Sequence, residues 1–516
     1  MRAGFTRTAV VVGVRAHIVD VQAHVAQGLP HWSIVGLPDT TVSESRDRVR
    51  AAVASSALPW PTGRITVGLG PASLPKRGSG LDVGIAVAVL CTAADVPDAG
   101  RLGDWVMVGE LGLDGRVRPV GSVLPAALAA RREGARCLVV PAENAAEASL
   151  VAGLEVLPVV SLRHLWAILV DDTERALHEV DNYPVEPPRP GAPPCDPPDL
   201  ADVRGQDEAR EALVVAAAGG HHLCLAGPAG VGKTLLASRL PSILPELDDD
   251  DALEVTAIKA LSDPTAVPGL VRTPPFCAPH HSASETSLIG GGAAERPRIG
   301  LVTRAHAGVL FLDEAAEFSS AALDALRQSL ESRTVTVSRS GFHVELPARF
   351  QLVLATNPCP CGRALDASGR PCTCSSIQRR RYWARLEGPL LDRVDVRVQL
   401  RRPTAAELSG LSGSRESSAS AAARVIEARE RAATRLADTP WQVNAAVPAA
   451  VVRRRWPVPT ALQHALDAAS MSRESLRGLD LCLRLSWTLA DLKGADAPDA
   501  DDLARAMALR NSEWAA

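Results

Sequence analysis

Residues 227 to 234 read Gly227-Pro228-Ala229-Gly230-Val231-Gly232-Lys233-Thr234, and Val309-Leu310-Phe311-Leu312-Asp313-Glu314 follows some seventy residues later. The first segment has the spacing of a phosphate-binding loop. Gly227 and Gly232 let the backbone wrap phosphates without a Cβ clash, and the loop N–H groups and the following helix N-terminus favour an anion. Lys233 is expected to reach the β- and γ-phosphates, and Thr234 to offer its hydroxyl to a divalent metal. The second segment is an apolar strand ending in two carboxylates. Asp313 is expected at the strand's C-terminal end, helping to hold Mg²⁺. Glu314 is placed to polarise an attacking water. The pair predicts binding of ATP with magnesium, and its hydrolysis.

Two further clusters lie downstream. Ala355-Thr356-Asn357 ends another apolar run, where a polar side chain can orient the lytic water or touch the γ-phosphate. Asn357 resembles the sensor-1 position of AAA+ ATPases. Cys359, Cys361, Cys372 and Cys374 fall within sixteen residues. Four thiolates could close a tetrahedral, structural Zn²⁺ site. The Cys-x-Cys spacing is tighter than the usual two-residue gap, so free thiols and a redox role stay open. The pairs His221-His222 and His280-His281 read as packing or hydrogen-bonding residues, because adjacent side chains on a strand face opposite ways.

These groups need elements to hold them. Leu223–Ala226 is a short strand running into the phosphate loop, preceded by a helical pattern over Gln206–Ala218. That strand–loop–helix context separates a true phosphate loop from a chance match. Gly308–Leu312 and Gln351–Ala355 read as buried strands, and Thr334 to Leu346 as a β-hairpin that could carry Arg339, Phe342 and His343 to DNA. Gly290 to Arg298 reads as a flexible loop with Arg296 and Arg298, a second candidate for DNA contact. From 404 onward the pattern is helical, with residues 421–437, Ala461–Ala469, Leu476–Leu492 and Asp501–Leu509 as candidates. In the first part, His17–Val25 alternates in polarity, Val42 to Ser56 is an amphipathic helix, and Arg64–Leu69, Trp105–Leu111 and Cys137–Val140 are strands. The expected layout is an α/β domain over 1–175, a proline-rich linker over 184–199, a P-loop α/β domain over 200–403 and a helical domain over 404–516.

Several segments together resemble the magnesium-chelatase-like YifB/ComM family of AAA+ ATPases. They are Val203-Arg204-Gly205-Gln206, Ala278-Pro279-His280-His281-Ser282, Gly308 to Glu314, Thr356-Asn357-Pro358-Cys359-Pro360-Cys361-Gly362 and Thr488-Leu489-Ala490-Asp491-Leu492. The resemblance covers nearly the whole chain. It implies a hexameric ATPase with a helical lid, related to helicases that drive branch migration. Leu390-Leu391-Asp392-Arg393 resembles an arginine-finger segment, which implies that Arg393 completes a neighbouring subunit's site. Arg477 is implied as a sensor-2 arginine, with Arg473 its rival. Trp487 departs from the family, which tends to place an arginine there.

The run from Val108-Gly109-Glu110-Leu111 through Gly121 to Asn144 is similar to the proteolytic domain of Lon-type peptidases. Those use a serine nucleophile and a lysine base. Leu124 stands where the resemblance would put the lysine, and Lys76-Arg77-Gly78-Ser79-Gly80-Leu81-Asp82 departs from the nucleophile's pattern. A Lon-protease-like fold without peptidase chemistry is expected.

Composition sets the remaining bounds. A chain of 516 residues with a formal charge of -4 has no global basic signature, so nucleic-acid contact must be local. Its positive charge is almost all arginine, since lysine occurs only at 76, 233, 259 and 493. No apolar run has membrane-spanning length and the N-terminus lacks a signal-peptide core, so a cytoplasmic location is expected. The ten cysteines then read as thiols or metal ligands. The sequence predicts a ring motor acting on single-stranded or branched DNA. A protein-remodelling factor or a chelatase motor subunit is the alternative, and the N-terminal domain is taken as evidence against the chelatase.

Overall fold

The computed structural model describes residues 3–182, 198–263, 269–293, 296–339, 342–364, 371–387, 390–409, 415–456 and 476–510. Most of the expected linker, the Ala461–Ala469 helix and Arg473 lie outside these residues, as do the side chains of Arg296, Arg339, Phe342, His343 and Arg477.

The first part is built on a seven-stranded sheet. Its strands are β1 (Ala3–Val12), β2 (Arg15–Ala26), β3 (His31–Val35), β4 (Arg64–Gly70), β5 (Trp105–Met107), β6 (Cys137–Pro141) and β7 (Glu155–Val159), in the order β3-β4-β2-β1-β5-β6-β7. β1 and β4 both pair antiparallel with β2, and the remaining pairs are parallel. Val19, Val21 and Ala23 of β2 are buried while Asp20, Gln22 and His24 are exposed, as the alternation predicts. Helix α1 (Asp82–Ala93) has buried residues on every side through Leu90, so it carries no amphipathic period. The expected Val42–Ser56 helix is broken at Glu44 into Thr40–Ser43 and Ser45–Ser55. The expected Trp105–Leu111 strand stops at Met107, and Glu110–Leu111 forms a separate hairpin with Val117–Arg118.

The second sheet has five parallel strands: β8 (Leu223–Ala226), β9 (Phe276–Cys277), β10 (Val309–Leu312), β11 (Gln351–Thr356) and β12 (Val396–Gln399). Their order is β9-β10-β11-β8-β12, so β11 separates the phosphate-loop strand from the acidic strand. The central strands β8, β10 and β11 are buried throughout, which is why they read as continuous apolar runs. Leu223 and Leu225 face one core, shared with helices α3 (Asp207–Gly219), α8 (Ser418–Leu436), α9 (Leu476–Lys493) and α10 (Ala500–Arg510). Cys224, Leu310, Leu312, Leu352 and Leu354 face the other core, with Phe318, Leu323 on helix α6 (Ser320–Ser332) and Trp383 on helix α7 (Ser376–Glu387). The C-terminal helices are therefore packed directly on the sheet.

Two hairpins rise from this core. Thr334–Arg339 pairs with Phe342–Pro347, as the sequence predicts. Gly290–Ala293 pairs antiparallel with Arg296–Ile299, which corrects the expected flexible loop: Gly290, Gly291 and Gly292 form one strand of a short ladder. At Gly290 the backbone has φ +105°, and an added Cβ would lie 2.6 Å from the Arg298 carbonyl. The two halves of the molecule also touch. Leu253 and Ala257 of helix α5 (Asp249–Ser262) share a core with helix α2 (Leu124–Arg132), and Arg131 pairs with Asp250 at 3.6 Å. Among the described residues no helix is long and apolar enough to cross a membrane.

Candidate nucleotide site

The strand order brings the chemical groups to one end of the second sheet. Helix α4 (Lys233–Ala237) follows the phosphate loop directly. A Cβ at Gly227 would meet the Leu400 carbonyl at 2.6 Å, and Gly232 has φ +96°, so each position calls for glycine for its own reason. Pro228, Ala229, Gly230 and Val231 complete the loop. Gln206 braces it: its side-chain amide donates to the carbonyls of Val231, at 3.3 Å, and Arg401. This gives the Val203–Gln206 segment a mechanical role that spacing alone did not reveal.

Lys233 donates to Gly227 O at 2.7 Å, to Pro228 O at 2.9 Å and to Asn357 Oδ1 at 3.0 Å. The Asn357 contact spans 124 residues and exists because β11 lies beside β8. Burial pulls the Lys233 ammonium below its ordinary pKa, with Asp313 and Glu314 opposing. A bound phosphate would act in the same direction as those carboxylates. Thr234 Oγ1 donates to Asp313 Oδ2 at 2.7 Å. Asp313 Oδ1 in turn accepts from the Glu314 amide at 2.9 Å, and Glu314 adopts the left-handed region at φ 51°. The Glu314 side chain is about half exposed, open to solvent beside the loop.

His281 was missed as a site residue. Its Nδ1 stands 3.0 Å from Glu314 Oε2, and its ring lies 4.1 Å from that of His280, tilted by 35°. The two histidines occupy a turn, so the rule of opposite faces on a strand does not apply. His280 Nδ1 lies 2.8 Å from Ser282 Oγ. Only a contact between distant segments identifies His281 as the partner of the glutamate.

Arg393 lies outside this constellation in its own chain. Its side chain is 8% exposed and is paired with Glu331 at the end of α6. Arg477 sits in the first turn of α9. The Trp487 departure is accommodated by Arg435, whose guanidinium lies 4.4 Å from the centre of the buried indole.

The cysteines converge. Cys359 Sγ lies 3.3 Å from that of Cys361 and 3.6 Å from that of Cys372, and Cys361 and Cys372 are 3.6 Å apart. With Cys374, all four sulfurs fall within 4.8 Å of one another. These separations far exceed a disulfide's ~2.05 Å. They approach the ~3.8 Å edge of a tetrahedron built on Zn–S bonds of ~2.3 Å. Burial and its thiol neighbours push Cys359 up to about 12. Backbone N–H groups of Arg363 and Thr373 help draw Cys361 down to about 6 despite its desolvation. A Cβ at Gly362 would be 4.0 Å from both Ala229 Cβ and Asn357 Cγ, so the cluster adjoins the phosphate loop. A second cluster of possible metal ligands, Asp251, Glu254 and His306, is occupied otherwise: Arg349 pairs with Asp251, and its amide donates to His306 Nδ1 at 3.1 Å. His306 Nε2 lies 3.2 Å from Glu254 Oε2.

In the first domain Ser79 and Lys76 are both committed to local hydrogen bonds. Ser79 donates to Glu110, while the fully buried Lys76 donates to the Pro71 carbonyl. Leu124 is wholly buried at the start of α2.

A parallel sheet carrying a phosphate loop, with an acidic strand one place removed and an asparagine strand between, defines a AAA+ P-loop ATPase. The family model described as "Magnesium chelatase, subunit ChlI" matches residues 199–408, "Subunit ChlI of Mg-chelatase" matches 21–144, and "Magnesium chelatase, subunit ChlI C-terminal" matches 415–510. An uncharacterized Mycobacterium tuberculosis protein is 46% identical over 99% of each chain. YifB of Salmonella typhimurium is 38% identical over 99% of this chain and 97% of its own length. Competence protein ComM of Haemophilus influenzae is 37% identical over 97% and 96%. The chain belongs to the YifB/ComM family of magnesium-chelatase-like AAA+ ATPases. A mitochondrial Lon protease homolog of Bos taurus is 37% identical over 107 residues, 20% of this chain and 11% of that protein. The match at 21–144 removes the argument that the N-terminal domain separates this chain from chelatase proteins.

Proposed function

We propose that this chain is a cytoplasmic, ring-forming motor that couples ATP hydrolysis to movement on DNA. The observation that carries the ATPase chemistry is the convergence of Lys233, Thr234, Asp313, Glu314 and Asn357 at the C-terminal end of one sheet. Thr234 Oγ1 and Asp313 Oδ2, 2.7 Å apart, are hard oxygen donors of the kind magnesium takes from a protein while the nucleotide supplies others. Magnesium supplies charge neutralisation on the transferred phosphate. Lys233 holds the phosphates, Asn357 orients water or the γ-phosphate, and Glu314 accepts the water's proton. Arg393 acts on the nucleotide of the next subunit, Arg477 acts as sensor 2, and the functional unit is a ring, taken as a hexamer.

DNA is favoured as the track by three features. The Thr334–Pro347 hairpin feeds straight into the Asn357 strand. Helix α7 exposes Arg380, Arg381 and Arg385 while burying Tyr382, Trp383 and Leu386. ComM is a competence protein. Phosphate contacts of this kind are few per subunit and strengthened by repetition around a ring. The cysteine cluster, between Asn357 and α7, is proposed to hold a structural zinc that fixes both. One metal per chain is expected by elemental assay, and a metal-free protein would remove the zinc.

The test is ATP turnover with single-stranded, forked and duplex DNA. Stimulation by single-stranded or forked DNA is expected. Indifference to all DNA, with stimulation by an unfolded protein, sinks the reading in favour of protein remodelling. Indifference to both, with stimulation by a metal-chelatase partner subunit, favours the chelatase motor.

A further inference from the structure

The segment bearing Arg393 is tied to the C-terminal helices by a buried polar chain. Asp395, two residues beyond Arg393 and 4% exposed, has Oδ2 3.0 Å from Nδ1 of the fully buried His221. His221 Nε2 lies 2.8 Å from Oγ1 of Thr488 on α9. Thr488 Oγ1 also accepts from Asn444 Nδ2 at 3.0 Å, and that amide donates to Asp491 Oδ2 at 2.8 Å. Asp491 is clamped by Arg435 of α8 at 2.5 and 2.7 Å. Arg510 of α10 adds a bond to Val394 O at 3.3 Å.

The chain of contacts is specified on both sides. A Cβ at Gly219 would lie 2.2 Å from His221 Nε2 and 2.4 Å from Thr488 Oγ1, so glycine there makes room for this bond. Gln351 of β11 holds the His221 carbonyl at 2.7 Å, fixing the backbone from which the imidazole projects. A buried polar group without a partner is costly, so each member constrains the next.

We propose that His221 and Thr488 are positioning residues for Arg393: they register the arginine segment against the C-terminal helices of the same subunit, so the pose of those helices sets how the arginine meets the neighbouring nucleotide. The proposal rests on the reading of Arg393 as acting between subunits.

The experiment mixes two inactive variants. Lys233→Ala subunits keep Arg393 but lack a working phosphate loop, whereas Arg393→Ala subunits keep the loop and lack the arginine. Mixing is expected to restore turnover. Thr488→Val is then added to one partner at a time. It keeps the side chain's shape and removes the hydroxyl. In the Lys233→Ala partner it is expected to cut restored turnover by roughly tenfold or more, within the ~10²-fold that a 1 Å misplacement can cost. In the Arg393→Ala partner it is expected to leave restored turnover and KM within about twofold, the hydroxyl being remote from chemistry there. Thr488→Ser in the Lys233→Ala partner is expected to restore the lost turnover, and Gly219→Ala to reproduce the loss. Equal losses in both partners overturn the proposal while leaving the intersubunit arginine standing. If mixing restores nothing, the intersubunit reading fails and the proposal fails with it.

Discussion

The two sheets, one mixed and one all-parallel, differ in where the polar groups around them are committed. In the first, Ser79 is tied to Glu110, Lys76 to the Pro71 carbonyl, and Asp82 is gripped by Arg48 at 2.6 and 2.9 Å. Those bonds join loops and helices to the scaffold, and none sets the serine against a lysine. In the second, Lys233, Thr234, Asp313, Glu314 and Asn357 come from three parallel strands and meet at one edge. Side chains at the carboxyl ends of parallel strands share a crevice by geometry. Leu124, where the resemblance would put a lysine, is instead part of an apolar core with Val106, Leu138 and Val140.

The contrast can be tested at its sharpest in the second sheet. Glu314→Gln keeps the size of the side chain and removes the proposed proton acceptor. Turnover is expected to fall by about 10²- to 10⁴-fold with nucleotide still bound. Normal steady-state turnover in this variant would move the base elsewhere, with His281 as the next group to examine.

In the first sheet the matching change should affect stability and leave chemistry alone. Leu124→Ala is expected to lower unfolding free energy by about 2–5 kcal/mol, as a buried leucine truncation does. Calorimetry should show the loss, and turnover per folded subunit should be unchanged below the transition. A collapse of turnover with no change in stability would mean that the first sheet takes a direct part in hydrolysis.

The smallest expected effect is a pH dependence centred on His222, just before β8. Burial draws His222 down to about 4, and its Nδ1 accepts from the Leu352 amide at 3.0 Å, which requires the neutral ring. The unfolded histidine takes a proton near its ordinary pKa of ~6.5. The unfolded state therefore binds more protons between those two values, and stability falls as pH drops from about 6.5 toward 4. His222→Asn keeps an acceptor without the titration and should flatten the decline in Tm measured from pH 7 to 5. An unchanged slope would assign the acid sensitivity to other groups.

The parts of the site that were legible before the fold were those with local causes. Gly227 and Gly232 answer to close approach and to positive φ, and an apolar run ending at Asp313 and Glu314 answers to a strand buried on both faces. The β2 alternation and the hairpin at 334–347 had the same clarity, because period and turn are properties of neighbouring residues. Other elements carried no such signal. α1 is buried all round, β9 is two residues long, and β12 has a short, partly polar register.

By itself, the sequence determined that this protein has a phosphate loop, an acidic strand and a cluster of four thiols, since each is written within a few consecutive residues or a short span. Tertiary structure alone decided which distant groups they meet. It set Asn357 against Lys233, His281 against Glu314, and His221 between Asp395 and Thr488. The physical reason is that a hydrogen bond depends on separation in space. Strand order, with β11 inserted between β8 and β10, sets those separations for residues scores to hundreds of positions apart.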